Sequence, residues 1–569
     1  VYARVVLTRL KTTLDRARLA AAVLRASGVV HAVRPAQLAR FARAARNTKI
    51  GPHLAVMFHG ATQPDKEAVV EYGAAGVRRM TWGELDATIN RLGHALVSRG
   101  VGAGERVAIM LPNGLEYLIA QQALARIGAT AVQIGYRLKA GEIAYILTNA
   151  TPKATIVHGD YLVAMLEARG QAGSRTALLA VRPPVGAVGI APPPPGAAAP
   201  YDDWDRALAA ASPDLPPHLP GGDGGGVIVY TSGTTGKPKG AARRWKQTGL
   251  ESVADMIVQC GMRADDRHLV VCPLYHSAAP AFVAIMMALG ATIVLMNHFE
   301  PERCLELIAR ERITSSLMVP TMLVRMTALP AEVRARHDTS SLRWIMSGAA
   351  PLATETARAV EAQLGPVLWN FYGSTETGLV TLAGPGEHTA RPGTIGRAMR
   401  GNEIRLLDDA GHAVAVGQIG ELYARNATLI SGYHGNDTAT SEASRDGFFS
   451  VGDLGRVDAD GFYYLESRKH DMVISGGVNI YPREIEDHLH THPGILEAAV
   501  VGIPDAEWGE SLRAFVVLRD GHRVSDAEVM DYCRGALADY KRPKKVVFVR
   551  ELPRNPTGKV MKRELREQA

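Results

Sequence analysis

Cysteine is scarce in this 569-residue chain, and that scarcity narrows its chemistry first. The four cysteines, Cys260, Cys272, Cys304 and Cys533, stand far apart with no CxxC pair. Such spacing argues against a disulfide framework or a zinc site and fits a reducing cytoplasm. Acidic residues are scarce too, but only locally: the first 50 residues hold eleven Lys/Arg and one acid, Asp15. The rest carries 53 basic against 56 acidic side chains, so the net charge of +7 belongs to the N-terminal segment. A nucleic-acid enzyme carries its positive field on the body of the fold, so nucleic acid is not an expected partner. Long charge-free runs are nearly absent. One, SAAPAFVAIMMALGATIVLM at 277–296, has the twenty residues that cross a bilayer. Pro280 near its start, Gly290 within it and the β-branched TIVLM instead predict a helix, a glycine turn and a buried strand. No secretory signal and no solenoid-length repeat is evident.

What is present describes a globular protein. With 47% hydrophobic and 21% charged residues, a chain of this length is expected to form two or three domains. TWGELDATINRLGHALVSRG (81–100) predicts an amphipathic helix. Thr81 and Glu84 make its capping box, Leu85, Ile89, Leu92 and Leu96 share a face, and Gly100 ends it. RVAIMLPN, LEYLIAQQALARIG and TAVQIGY continue as strand, helix and strand, the alternation of an α/β domain on largely parallel sheets. A Pro/Gly/Ala loop fills 183–200. After about residue 470 short helices and strands, with a second capping box at Ser525 and Glu528, predict a small α+β domain. The expected division is a basic helical leader at 1–50, a large domain at 51–469 and a small mobile domain at 470–569. The leader is Arg-rich and helical in pattern. It reads as a helix on an anionic membrane surface or as a solvated helix or cap packed on the domain, and its unexceptional amphipathicity favours the latter.

The densest chemistry is TSGTTGKPKG (231–240), which follows the apolar run GVIVY. Gly233, Gly236 and Gly240 let backbone N–H groups turn toward an anion. Thr231, Ser232, Thr234 and Thr235 offer hydroxyls, while Lys237 and Lys239 bring charge. Pro238 follows Gly236-Lys237 where a Walker loop needs Ser or Thr, so this is a different phosphate loop. YGSTETG (372–378) places a ring, hydroxyls and one carboxylate together, suiting a base, phosphate and hydrated Mg²⁺. Asp453 suits ribose hydroxyls, and NPTGK (555–559) presents Lys559 from a turn.

Together with SGAAPL (347–352), GDLGR (452–456) and ISGGVNIYP (474–482), these motifs resemble, in order and spacing, the acyl- and aryl-CoA synthetases of the adenylate-forming superfamily over about residues 50–569. The resemblance implies that a carboxylate attacks the α-phosphorus of ATP, and that the thiol of coenzyme A then displaces AMP. It implies roles residue by residue. Thr231, Ser232, Gly233, Thr234, Thr235, Gly236 and Lys237 would clamp the β- and γ-phosphates. Glu376 would hold Mg²⁺, with Thr375 on a phosphate oxygen. Gly348 and Ala349 would wall the adenine, with Tyr372 stacked on it and Gly373 beside it. Asp453 and Arg468 would take the ribose, and Lys559 would stabilise charge growing at the α-phosphate. A swing at His470 would then withdraw Lys559 and present Gly476 and Gly477, which leave room for pantetheine. Family members usually carry Asp or Lys at the position of His470, so its titration could bias the swing.

His276 lies where the family places a residue near the acyl pocket. Its apolar, mostly small neighbours Ala278, Ala279, Ala281, Phe282 and Ala284 favour a medium- or long-chain fatty acid, with an aryl or sterol side-chain acid as the alternative. Transfer to a separate carrier protein, a luciferase-like oxygenase and a non-catalytic membrane-binding protein are the rivals. The expected setting is the cytoplasm, with peripheral membrane contact confined to residues 1–50.

Overall fold

A computed structural model describes residues 18–29, 33–46, 48, 51–73, 76–182, 200–217, 219, 224–231, 238–245, 249–475, 478–505, 507–555 and 559–568. These pack as two compact units. The first comprises Val1–Leu317, His337–Ser341 and Ala427–Glu442; the second comprises Met318–Arg336, Leu342–Asn426 and Ala443–Ala569. Residues 470–569 therefore belong to the second unit.

In the first unit, two sheets carry the alternation read from the sequence. The strand Arg106–Met110 lies between Thr130–Gln133 and Ala154–His158, parallel to both, and Thr130–Gln133 pairs in parallel with Gly226–Thr231. The intervening helix Leu115–Ile127 ends on Gly128 at φ 72°, a left-handed turn that glycine adopts without steric cost. The strand Gly226–Thr231 then pairs antiparallel with Lys239–Arg244, with Thr231 opposite Lys239. The two ends of the glycine/threonine loop are thus neighbours. In the other sheet, Arg267–Val270 runs parallel to Thr292–Met296 and to Ser315–Met318, and Thr292–Met296 is parallel to Glu67–Gly73.

The expected capping box forms, with Thr81 N–H donating to Glu84 at 2.8 Å and Glu84 N–H to Thr81 Oγ1 at 3.3 Å, opening the helix Trp82–Ser98. The span-like run resolves as the helix Ala278–Leu289, a left-handed Gly290 at φ 82° and the fully buried strand Thr292–Met296. A Cβ at Gly290 would stand 2.7 Å from the His59 ring, so glycine is needed there for space as well as for the turn. Among the described residues no helix is long and apolar enough to cross a membrane.

The second unit is built mainly from antiparallel strands. Trp344–Ser347 runs parallel to Leu368–Ser374, which turns back into Gly378–Ala383. Thr394–Ala398, Tyr463–Arg468, Phe448–Val457, Gly420–Arg425 and Glu403–Leu407 then follow side by side, each antiparallel to the last. A separate sheet centres on Gly509–Leu518, antiparallel to Ile495–Asp505 and parallel to Lys545–Phe548. Strand alternation sorts its side chains onto two faces. Ala498, Val500, Leu512, Ala514 and Val516 pack with Ile485, Leu489, Val529 and Cys533 of the helices Pro482–His490 and Asp526–Ala536. Ala499, Val501, Phe515 and Val517 pack on the other face with Leu552 and Leu565. That second layer ties down the chain on both sides of Lys559.

Candidate active site

The second unit encloses a cavity of about 250 Å³ whose lining includes Ala349, Asn370, Tyr372, Gly373, Asp453, Arg468 and Lys559. Asp453 sits in the strand Phe448–Val457 directly opposite Arg468 in the strand Tyr463–Arg468. Pairing brings their side chains together: Arg468 Nε is 3.0 Å from Asp453 Oδ1. The Tyr372 hydroxyl donates to Asp453 Oδ2 at 2.8 Å. Both oxygens of one carboxylate are therefore engaged, each by a donor from a different strand. Burial, reinforced by the Asp453 charge, holds the Tyr372 phenol well above its usual pKa and keeps it a donor.

Lys559 reaches this cluster from a short turn. Asn555 N–H donates to Lys559 O, and Lys559 N–H to Asn555 Oδ1, both at 2.9 Å. Arg554 bridges to Val560 across the turn and pairs with Glu497 at 2.6 Å. Burial, then the neighbouring Arg468 guanidinium, lowers the Lys559 ammonium to about 8, against the opposing pull of Asp453 and Asp471.

Gly348 and Ala349, expected from the resemblance as an adenine wall, carry a backbone signature. Gly348 is followed by Ala349 at φ 66°, a left-handed conformation uncommon for a residue with a Cβ. A Cβ on Gly348 would meet the Phe371 ring at 2.4 Å. Gly348→Ala is expected to cost about 1–3 kcal/mol of stability through overpacking. It should raise the apparent KM for ATP by displacing the ring next to Tyr372, and thermal denaturation with ATP titration will measure both. Downstream, His388 has its ring nitrogens 2.9 Å from Leu352 O and Thr394 O, anchoring the end of the SGAAPL segment.

Thr375 and Glu376 lie in the turn between Leu368–Ser374 and Gly378–Ala383. Ser374 Oγ accepts from the Glu376 and Thr377 amides at 3.1 and 3.0 Å, and Thr377 Oγ1 accepts from Ser374 N–H at 3.1 Å. Gly373 admits no side chain, because a Cβ would stand 2.0 Å from Gly378 O. The turn is thus fixed, with Glu376 buried.

Sequence reasoning passed over Asn370. Its Oδ1 is buried without a hydrogen-bond partner in the lining of the cavity, an acceptor that a ligand N–H would satisfy. The available signal was one amide inside the apolar run VLWNF. His470 stands at the cavity's edge in sequence, half-exposed, with Nε2 3.8 Å from Asp471 Oδ2. Burial lowers its pKa against the pull of Asp471, and Arg468, Lys559 and Arg566 lower it further.

Two other expected site residues, Thr231 and His276, belong to the first unit. His276 adjoins Tyr275, whose ring lies 4.2 Å away, and its Nε2 is buried without a hydrogen-bond partner. Burial and then Arg137 lower its pKa to about 3, leaving a neutral imidazole. Ser232, Gly233, Thr234, Thr235, Gly236, Lys237, Gly476 and Gly477, with leader residues 1–17, lie outside the described residues.

A two-strand carboxylate clamp, a half-buried lysine near the C-terminus and an orphaned amide acceptor around one cavity suit a nucleoside monophosphate. The chain belongs to the AMP-binding enzyme family: that family's profile matches residues 58–434, and the profile of the AMP-binding enzyme C-terminal domain matches residues 484–559. It is 33% identical over 496 residues to the long-chain-fatty-acid–CoA ligase FadD13 of Mycobacterium tuberculosis, covering 86% of this chain and 93% of that protein. It is 34% identical over 528 residues to a feruloyl-CoA synthase of Amycolatopsis, covering 92% and 97%. The solved structure of ATP-bound MatB from Rhodopseudomonas palustris aligns with a TM-score of 0.78 at 30% identity, covering 91% of this chain and 99% of that one.

Proposed function

We propose that this AMP-binding enzyme is an acid–thiol ligase that makes an acyl-CoA in two steps. A substrate carboxylate oxygen attacks the α-phosphorus of ATP, the bond to the bridging β-phosphate oxygen breaks, and pyrophosphate leaves. The sulfur of coenzyme A then attacks the acyl carbon, gives up its proton, and AMP leaves. The observation that carries this reading is Lys559 beside the Asp453–Arg468 pair. The clamp suits ribose hydroxyls, and a cation next to it suits the α-phosphate, where negative charge accumulates in the first step. Asn370 Oδ1 suits the exocyclic amine of adenine between Tyr372 and the Gly348–Ala349 backbone. The glycine/threonine loop from Thr231 to Lys237 is assigned the outer phosphates by resemblance.

Glu376 is the residue for Mg²⁺. Among the described residues no cluster of three or more His, Cys, Asp or Glu could hold a metal, and a single buried carboxylate in a fixed turn suits an ion bound mostly by substrate phosphates and water. When bound, the ion would neutralise phosphate charge.

The favoured acid is a medium- or long-chain fatty acid. Its support is the apolar helix Ala278–Leu289 behind His276 and the kinship to a long-chain-fatty-acid–CoA ligase. One observation favours an aryl acid instead. Tyr136 stacks on Tyr161 at 5.3 Å and meets Tyr275 edge-on at 5.2 Å, so three rings form a chain that reaches His276 through Tyr275. Mass-spectrometric product detection with ATP, Mg²⁺ and pooled alkanoic and aryl acids, with and without CoA, tests both. Acyl-CoA formed only when CoA is present supports the ligase and names the acid. Acyl-adenylate without thioester would point to a carrier-protein acceptor, and neither product would overturn the reading.

The hinge is proposed at His470, and a pH–rate profile unchanged in His470→Lys would remove any role for its titration. Lys559 sets a separate pH dependence. Its ammonium is the working form, and its pKa is lowered to about 8, so activity is present below that pH and lost as pH rises through it. Pyrophosphate-exchange kcat/KM should therefore fall on the alkaline side with an apparent pKa near 8. Thioester formation from supplied acyl-adenylate should lack that limb.

A further inference from the structure

The proposed chemistry leaves the basic N-terminal segment unused. Every Asp, Glu, Lys or Arg between residues 18 and 46 is an arginine, and all six of them are exposed. Two helices and the caps of the second carry them: a helix over 18–27 and the helix Pro35–Ala45, capped by Arg34 and Arg46. Each is held to the first unit by one face. In the former, Ser27 is fully buried and its carbonyl accepts from Ala264 N–H at 2.8 Å. In the latter, Phe41 meets Phe58 edge-on at 5.3 Å and Gln37 Nε2 donates to Thr62 O at 3.2 Å.

With 3.6 residues per turn, these anchors fix what points away. Opposite Phe41 and Gln37 stand Arg43 and Arg46, with Arg40 at the flank. Opposite Ser27 and the half-buried Val23 stands Arg25, with Leu24 at the flank. Leu24 is 48% exposed and Leu38 is 52% exposed. The segment is therefore both a cap on the first unit and an exposed cationic face with apolar side chains at its flanks. A merely solvated helix mixes charges of both signs; this one has no acid at all. The remainder of the protein carries slightly more acid than base, so the chain's excess positive charge belongs to the N-terminal segment.

We propose that this face docks on an anionic phospholipid surface, arginines against the headgroups and Leu24 and Leu38 touching the acyl boundary. Exposed leucines beside arginines suit a lipid interface better than a nucleic-acid backbone. Because the inner helix faces are already occupied by the protein, the contact is superficial and electrostatic rather than inserted. Each arginine near such a surface strengthens binding roughly fivefold.

The test is sedimentation of the full chain with vesicles of phosphatidylcholine alone and of phosphatidylcholine mixed with phosphatidylglycerol, at about 0.1 M and about 0.5 M salt. Binding is expected only to the mixed vesicles and only at the lower salt. A variant carrying Arg40→Gln, Arg43→Gln and Arg46→Gln should partition about a hundredfold more weakly, with an unchanged melting temperature and unchanged adenylation to show that it is folded. A Leu24→Ser, Leu38→Ser variant should bind the anionic vesicles several-fold more weakly than the parent does. Equal binding to the neutral vesicles, binding that survives salt or the arginine variant, no binding, or equally tight arginine-dependent binding to a single-stranded RNA would each overturn the proposal.

Discussion

Lys559→Ala is expected to slow acyl-adenylate formation about a hundred- to a thousandfold, the usual loss when one preorganised group facing transition-state charge is removed. Thioester formation from supplied acyl-adenylate should change by no more than a few fold. The asymmetry follows from position. Lys559 stands beside the Asp453–Arg468 clamp, where the α-phosphate would lie, and is held there by the Asn555 and Arg554 contacts of its turn. Partial burial and the neighbouring Arg468 disfavour the charged form of Lys559, which is why its pKa is depressed. Single-turnover kinetics of the two half-reactions separate the outcomes, and equal losses in both would mean that Lys559 is needed for folding or for both steps.

Asp453→Ala carries the second large effect. It removes the acceptor of both Tyr372 and Arg468 at once. Deleting one partner of a buried ion pair costs about 3–5 kcal/mol, and because the Arg468 side chain is 32% exposed about 2–3 kcal/mol is the better expectation. The apparent KM for ATP should rise at least about tenfold as the proposed ribose acceptor disappears. The double variant Asp453→Ala, Arg468→Met discriminates the two effects. It should regain much of the lost melting temperature by discarding the unpaired charge, yet leave ATP affinity as poor as in the single variant. If ATP affinity returned with stability, the carboxylate would be a structural group only.

How legible this was depends on where the signal sits. Helices with strong period and side-chain caps could be read directly: Thr81 with Glu84 and Ser525 with Glu528 both form the boxes their spacing predicts. The helix–glycine–strand reading of 277–296 holds because Gly290 takes a backbone conformation that other residues resist. The antiparallel strands between Thr394 and Arg468 were less visible. They are short and mixed in polarity, and their partners are set by pairing over long distances, so no local period announces them. The candidate site shows the same divide. Motifs pointed to Tyr372, Asp453, Arg468 and Lys559 by resemblance, but the Tyr372–Asp453 hydrogen bond joins residues 81 positions apart and no spacing rule supplies it. Asn370 was missed for a related reason. A lone amide in an apolar strand looks incidental until its oxygen is seen to be buried and unanswered.

The depressed Lys559 pKa has a calorimetric consequence. In the ligand-free protein near pH 8.5 much of that amine is uncharged, given its pKa of about 8. Triphosphate placed beside it restores ordinary lysine basicity, so nucleotide binding must draw protons from the buffer. The measured heat of ATP binding should then differ between buffers of high and low ionisation enthalpy at pH 8.5, and agree between them at pH 6.5, where the amine is already charged. Replacing Lys559 by methionine should abolish the difference. The enzyme's grip on its nucleotide would thus be coupled to the acidity of its surroundings through one side chain.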